Sequence, residues 1–337
     1  MAETRKIQEI GKSLYVSLPK DWAERMQLRR GGIIALITQQ DGSISVYPEG
    51  KEEEPKQIDL EINEESEQSL MRRITGAYVD GFDIIQLKTK DRFTDKHHDI
   101  IRKITEELFG LEVVHSGSNV VTIECLLKQT LPIEKTIDRI HDIVKAMFDE
   151  TISALKEIDS NLAKGVPRRI RDIKRLSLVI YRALRSMILY PTLAAREKMS
   201  LIDSVDYLNV LHRITSIAYN IQKSSESIVK MGAQALPTSI IESFSEACNL
   251  TRKRYEKAIQ ALMSNDIVLA DHVLDIELDF EELWHLCLKA NQNSQITSLT
   301  FSYMHRIIDS LTQIQQNAAE IAEITIDRVE TQKKKAN

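Results

Sequence analysis

Aromatic residues make up only 5% of this 337-residue chain, and it holds just 11 glycines and 7 prolines. So few turn-formers exclude an all-β chain of many short strands and favour helix. No apolar run approaches the roughly 18 residues that span a bilayer. The opening "MAETRKIQEIG" has no apolar signal-peptide core. The expectation is a cytoplasmic protein without membrane insertion. The three cysteines, Cys125, Cys248 and Cys287, are widely spaced and odd in number. They form neither a disulfide framework nor a zinc knuckle, and read as buried free thiols. Gly-x-Ser-x-Gly, Walker and Gly-x-Gly-x-x-Gly motifs are missing, and no nucleophile–base constellation is visible. The chain reads as a non-enzyme.

Apolar content of 42% is enough to bury real cores, and the length allows two or three domains. The net charge of −5 is unevenly spread. Residues 1–48 hold seven Lys/Arg against five acids, a surplus of two, so the remainder carries −7. A basic head on an acidic body fits contact with nucleic acid through the head.

The first segment, 1–48, alternates apolar and polar residues in "SLYVSL", "IIALIT" and "SISVYP". Asp41-Gly42 between the last two runs predicts a two-residue hairpin. "KDWAERMQL", between Pro19 and Gly31-Gly32, predicts a short helix. Fewer than fifty residues cannot bury a good core, so a second copy is needed. Residues 49–56, rich in Pro, Gly and charge, form a linker. Residues 57–130 mix strand and helix periods and predict a small α+β domain.

From 131 onward the pattern is helical. Six long helices are expected, at about 133–164, 168–196, 200–230, 238–264, 267–292 and 294–330. They fall into two groups of three, residues 131–232 and 233–330, followed by a basic tail at 331–337. The groups repeat each other. "LHRITSIAYNIQ" (Leu211–Gln222) and "MHRIIDSLTQIQ" (Met304–Gln315) share five of twelve residues. "ALKEIDSNLAKGVPRRIRDIKRL" (Ala154–Leu176) aligns without gaps on "ALMSNDIVLADHVLDIELDFEEL" (Ala261–Leu283), with eight coincident positions. Two matches in the same order imply internal duplication.

Two resemblances follow. "RKIQEIGKSLYVSLPKDWAERMQLRRGGIIALITQQDGSISVYP" resembles the SpoVT/AbrB/MazE-type DNA-binding domain, through Ile10-Gly11-Lys12-Ser13, Val16-x-Leu18-Pro19-Lys20 and the Leu28-x-x-Gly31 turn. That resemblance implies a swapped-hairpin β barrel formed by a homodimer. Its DNA contacts would fall on Arg5, Lys6, Lys12 and Ser13, with Arg29 and Arg30 beside them. The helical half resembles the PhoU family of phosphate-uptake regulators, through the two third-helix motifs and "KAIQALMSNDIVLADHVLDIELDFEELW". Together they imply a multidomain, mainly α chain: barrel head, α+β middle domain, two PhoU-like three-helix bundles. The implied function is a DNA-binding regulator of phosphate uptake. The alternative is an adaptor acting on phosphate transporter components, with the head used only to dimerise.

The PhoU resemblance also raises a metal question, because that family can bind metal through Glu/Asp-x-x-x-Asp pairs. An i, i+4 pair shares one helix face, and two pairs offer four donors to one cation. The corresponding residues in the second repeat are Asp275, Asp279, His305 and Asp309, a set suited to a divalent or iron-type metal. No cofactor is otherwise required. In the first repeat they are Arg168, Asp172, His212 and Ser216, where the arginine repels a cation. Glu282-x-x-His285 has di-iron spacing but lacks the rest of that set. Arg168, Arg169, Arg171, Lys174, Arg175, Arg182 and Arg185 crowd one helix without an obvious stripe, and read as a solvated face or a docking surface.

Overall fold

The computed structural model describes residues 4–38, 42–48, 55–63, 65–127, 132–157, 164–232, 236–276 and 279–336. The chain divides into two compact units, Met1–Glu54 and Pro55–Asn337.

The first unit is hairpin, helix, hairpin. β1 (Gln8–Ile10) pairs antiparallel with β2 (Ser13–Tyr15), Ile10 opposite Ser13. The turn between them is Gly11-Lys12. Gly11 has φ +70° at the first central position, where a type II′ turn requires glycine. β1 is a strand that the sequence pattern did not reveal. Pro19 precedes α1 (Lys20–Arg25) and its fixed φ sets the helix entry. β3 (Ile34–Thr38) pairs with β4 (Ile44–Pro48). Thr38 lies opposite Ile44, so the connection covers residues 39–43. The expected turn at Asp41-Gly42 falls partly outside the described residues, since Asp41 is not among them. Most of the expected linker, 49–54, also lies outside them. Among the described residues no closed barrel forms within one chain.

The second unit opens with the α+β domain: β5 (Gln57–Glu61), α2 (Glu67–Val79), β6 (Ile84–Lys88), α3 (Asp95–Glu107), β7 (Leu111–Ser116) and β8 (Val120–Cys125). The sheet order is β5-β6-β8-β7, with β5 and β6 parallel and the rest antiparallel. Alternate residues of β6 and β8 are buried, which packs one sheet face beneath the helices. Ser66 caps α2 and a Thr94/His97 capping box starts α3. Tyr78, Ile74, Ile85, Leu87 and Ile123 form the fully buried centre.

The helical part contains α4 (Ile133–Glu157), α5 (Val166–Leu189), α6 (Pro191–Arg196), α7 (Leu201–Met231), α8 (Thr238–Ser264), α9 (Ile267–Leu274), α10 (Glu281–Gln292) and α11 (Ser298–Ala336). Two of the six expected helices are broken. Pro191 lacks an N–H and pushes Tyr190 out of helical geometry (φ −126°, ψ 86°), separating α5 from α6. The helix expected at 267–292 stops at Leu274 and restarts at Glu281. The two helical groups share their interior. One continuous apolar core runs from Ile133 to Ala322 and includes Ile140, Ile214, Tyr255, Ile259, Ile307 and Leu311. The two third helices pack antiparallel. Asp203 of α7 pairs with Arg328 of α11 at 3.3 Å, and Arg213 pairs with Glu320 at 2.5 Å. No helix among the described residues is long and apolar enough to cross a membrane. All three cysteines are buried free thiols, and burial pushes Cys248 up to about 12.

The α+β domain has its own core but belongs to the same compact unit as the helices. Arg182 of α5 makes the join. Its guanidinium donates to the Tyr78 carbonyl (2.7 Å), the Phe82 carbonyl (2.9 Å) and the Asp83 carboxylate (2.8 Å). Arg185 pairs with Asp80 at 2.6 Å, and the Lys56 ammonium lies 3.6 Å from the Tyr190 ring centroid. Arg182→Ala will strip a partner from two carbonyls and a carboxylate. We expect a loss of about 2–3 kcal/mol in urea unfolding, with Arg182→Lys intermediate because lysine cannot form the planar fork.

A second prediction concerns acid. Burial, helped by Lys145, holds the His141 imidazole down at about 4, where Nδ1 shares a 3.1 Å hydrogen bond with the Tyr255 hydroxyl. The folded value lies below the ordinary 6.5, so the unfolded chain binds this proton more readily. The contribution is present above pH 6.5 and is lost as pH falls to about 4. Over that window, unfolding free energy will fall more steeply in the native chain than in His141→Gln, as measured by denaturant melts at stepped pH.

Candidate nucleic-acid interface and metal positions

The head contains no buried residue among those described. Nine of its large apolar side chains are exposed: Ile7, Ile10, Leu14, Tyr15, Val16, Met26, Ile33, Leu36 and Ile44. Leu14 is 72% and Ile7 68% exposed. The head's strands therefore have no core of their own to pack on, which is the shape of half a domain.

The expected DNA-contact residues fall at two places. Arg5 and Lys6 lead into β1, Lys12 sits in the β1–β2 turn and Ser13 opens β2, so these four share one hairpin. Arg29 and Arg30 occupy the turn after α1, closed by a 2.9 Å hydrogen bond from the Gly32 N–H to the Arg29 carbonyl. All six are exposed. Lys6, Lys12, Arg29 and Arg30 make no ion pair among the described residues, whereas Lys20 pairs with Glu24 at 3.7 Å. Exposed cations free of internal partners can neutralise phosphates.

The metal positions are dispersed. Asp275 caps the C-terminus of α9, and Asp279 precedes α10, where its carboxylate accepts the Glu281 N–H at 2.9 Å. The expectation that these two share a helix face is corrected, because the helix is interrupted between them. The Asp279 carboxylate suits the start of a helix better than an interior, since it is short enough to take up a nearby free N–H group. Only His305 and Asp309 meet, at 3.0 Å on α11. Among the described residues no group of three or more His, Cys, Asp or Glu is arranged to hold a metal ion. The four side chains are thus not gathered into the set that the resemblance implies.

The histidines have a packing role instead. His305 meets Trp284 of α10 edge-on, with centroids 4.9 Å apart. His212 meets Tyr181 of α5 edge-on at 5.6 Å and lies 3.2 Å from its hydroxyl. Each repeat thus braces its third-helix histidine against an aromatic of the preceding helices. Gln315, which ends the second motif, accepts from buried Arg254 at 3.3 Å, and Arg254 also donates to the Val273 carbonyl at 3.0 Å.

Residues 137–225, from α4 to α7, match the family model of the PhoU domain. The chain carries a PhoU domain. Residues 7–54 match the model of the MazE antidote-toxin recognition domain of bacterial antitoxins, giving a MazE/AbrB-like head. No curated protein gives a significant match to the chain. The PhoU match contains the Leu211–Gln222 motif and lies in the first repeat. The MazE match takes in both head hairpins and α1. What sequence reasoning missed is the join made by Arg182 and Arg185. Its signal was the dense basic run on α5, four members of which do form a stripe. Arg171, Arg175, Arg182 and Arg185, with Leu178 between them, recur at spacings of three and four.

Proposed function

We propose that this protein is a cytoplasmic DNA-binding regulator of phosphate homeostasis, in which a homodimeric MazE/AbrB-like head contacts DNA and the PhoU-like repeats respond to the state of phosphate uptake. The observation that carries the reading is the head itself. It has nine exposed apolar side chains and, among its described residues, no interior. Beside them stand Lys6, Lys12, Arg29 and Arg30, exposed and in no ion pair among the described residues. A second copy would cover the apolar surface and double the basic one. Both matched families are regulatory rather than catalytic, which supports a non-enzymatic role. The PhoU domain also supports contact with a phosphate transporter.

Two experiments test this. Sedimentation of the full chain will give a dimer, and Leu14→Asp will shift it toward monomer because a charge is then buried in the shared core. Chromatin pull-down at high and low phosphate will enrich discrete promoter sites. Arg5→Ala/Lys6→Ala/Lys12→Ala will abolish that enrichment. It will also flatten the salt dependence of binding, by about 0.9 in log–log slope for each phosphate no longer neutralised. A dimer that enriches no site would sink the DNA reading and favour the transporter adaptor.

A further inference from the structure

The stripe on α5 is used unevenly. Its C-terminal half, Arg182 and Arg185, is paired with Asp83 and Asp80. Arg169, off the stripe, pairs with Glu150 at 2.5 Å. Arg171, Lys174 and Arg175 make no ion pair among the described residues. These three line a pocket of about 210 Å³ between α5 and the α+β domain. Glu107, Arg171 and Arg175 also line a cleft of about 750 Å³, where Lys103, Glu106 and Glu112 join them. The smaller pocket holds three cations and a single carboxylate, Glu107, on walls otherwise made of apolar side chains and Thr75.

Arg175 is fixed in place. Its guanidinium lies 4.8 Å from the Phe109 ring centroid, and its Nε is buried with no hydrogen-bond partner. A buried donor left unpaired is costly. Here it sits in a pocket with two further free cations. Three unneutralised positive charges in a recess call for an anion.

Glu107 narrows the choice. A carboxylate repels a fully deprotonated oxyanion. It accepts a hydrogen bond from one that keeps a proton near neutral pH, as inorganic phosphate does, whereas sulfate and, for the most part, a phosphate monoester do not. We propose that this pocket binds inorganic phosphate, with Arg171, Lys174 and Arg175 holding its unprotonated oxygens and Glu107 accepting the remaining P–OH. A ligand there would tie α5 to the C-terminal end of α3, reinforcing the join that Arg182 makes further along the same helix. Phosphoryl binding at α5 requires no part of the DNA-binding reading of the head.

The test is calorimetric titration of the full chain at constant ionic strength with sodium phosphate, adenosine monophosphate and sodium sulfate. Saturable binding of phosphate, with sulfate and the nucleotide each at least about tenfold weaker, is expected. Nucleotide binding as tightly as phosphate would show that the P–OH is not read at Glu107 and would overturn the assignment. Arg175→Gln will abolish binding. Because that change also removes the cation from the Phe109 ring, Arg171→Gln and Lys174→Gln serve as independent variants. Both side chains are exposed, so the unliganded melting temperature will hold while affinity falls about tenfold for each. Glu107→Gln will erase the preference over sulfate. No saturable binding, unchanged affinity in the Arg171→Gln/Lys174→Gln double variant, or sulfate binding as tightly as phosphate would overturn the proposal. DNA binding by that double variant, measured without ligand, keeps failure here distinct from failure of the head to bind DNA.

Discussion

Helix α5 carries the second unit because it has two committed faces. One face buries Ile173, Leu176, Ile180, Leu184 and Met187 in the helical core. The other puts Arg182 against two carbonyls and a carboxylate of the α+β domain. The Tyr78 and Phe82 carbonyls lie at and just beyond the C-terminal end of α2, where helical carbonyls lack intrahelical partners and a cation is favoured. A single side chain therefore finishes one helix and fastens it to another. Two domains with their own apolar cores become one compact unit through these polar contacts, together with Leu178 of α5 against the α+β core and Phe109 against the helical core.

The two halves of the helical duplication are joined differently. Their third helices run antiparallel, and Arg328 meets Asp203 with both side chains largely buried. The Arg328 guanidinium also lies 4.4 Å from the Tyr207 ring centroid, and the Tyr207 hydroxyl donates to Glu134 at 2.7 Å. A buried ion pair is weak evidence for stability, since desolvation offsets the attraction. Continuous apolar packing from Ile133 to Ala322 carries the energy. The polar cluster fixes which residues of α7 lie against which of α11. Two repeats that share one core cannot be read as two independent modules.

The head follows the opposite logic. It is short, its large apolar side chains are exposed, and Lys6, Lys12, Arg29 and Arg30 make no ion pair among the described residues. In the proposed dimer the apolar surfaces would cover one another, and the basic side chains would gain a defined spacing.

Much of this was legible in the sequence because it is local. Helix periodicity and the repeated third-helix motif act over a few residues, so their patterns survive in one dimension. The incomplete head was legible too, from length alone. The metal set was not settled in this way. Spacing of i, i+4 places Asp275 and Asp279 together only if the helix is unbroken, and Asp279 instead holds the Glu281 N–H. The α5 arginines likewise needed the fold. Their partners Asp80 and Asp83 are remote along the chain, Asp83 lying 99 residues before Arg182, and a charge run does not reveal which acids it will meet. Tertiary structure alone sorted that run into Arg182 and Arg185, which are bound, and Arg171, Lys174 and Arg175, which face an open pocket. The sequence by itself determined the elements and their repetition, because backbone hydrogen bonding and side-chain period are short-range. Which charges are neutralised was decided by packing, because that depends on distances between residues far apart in sequence.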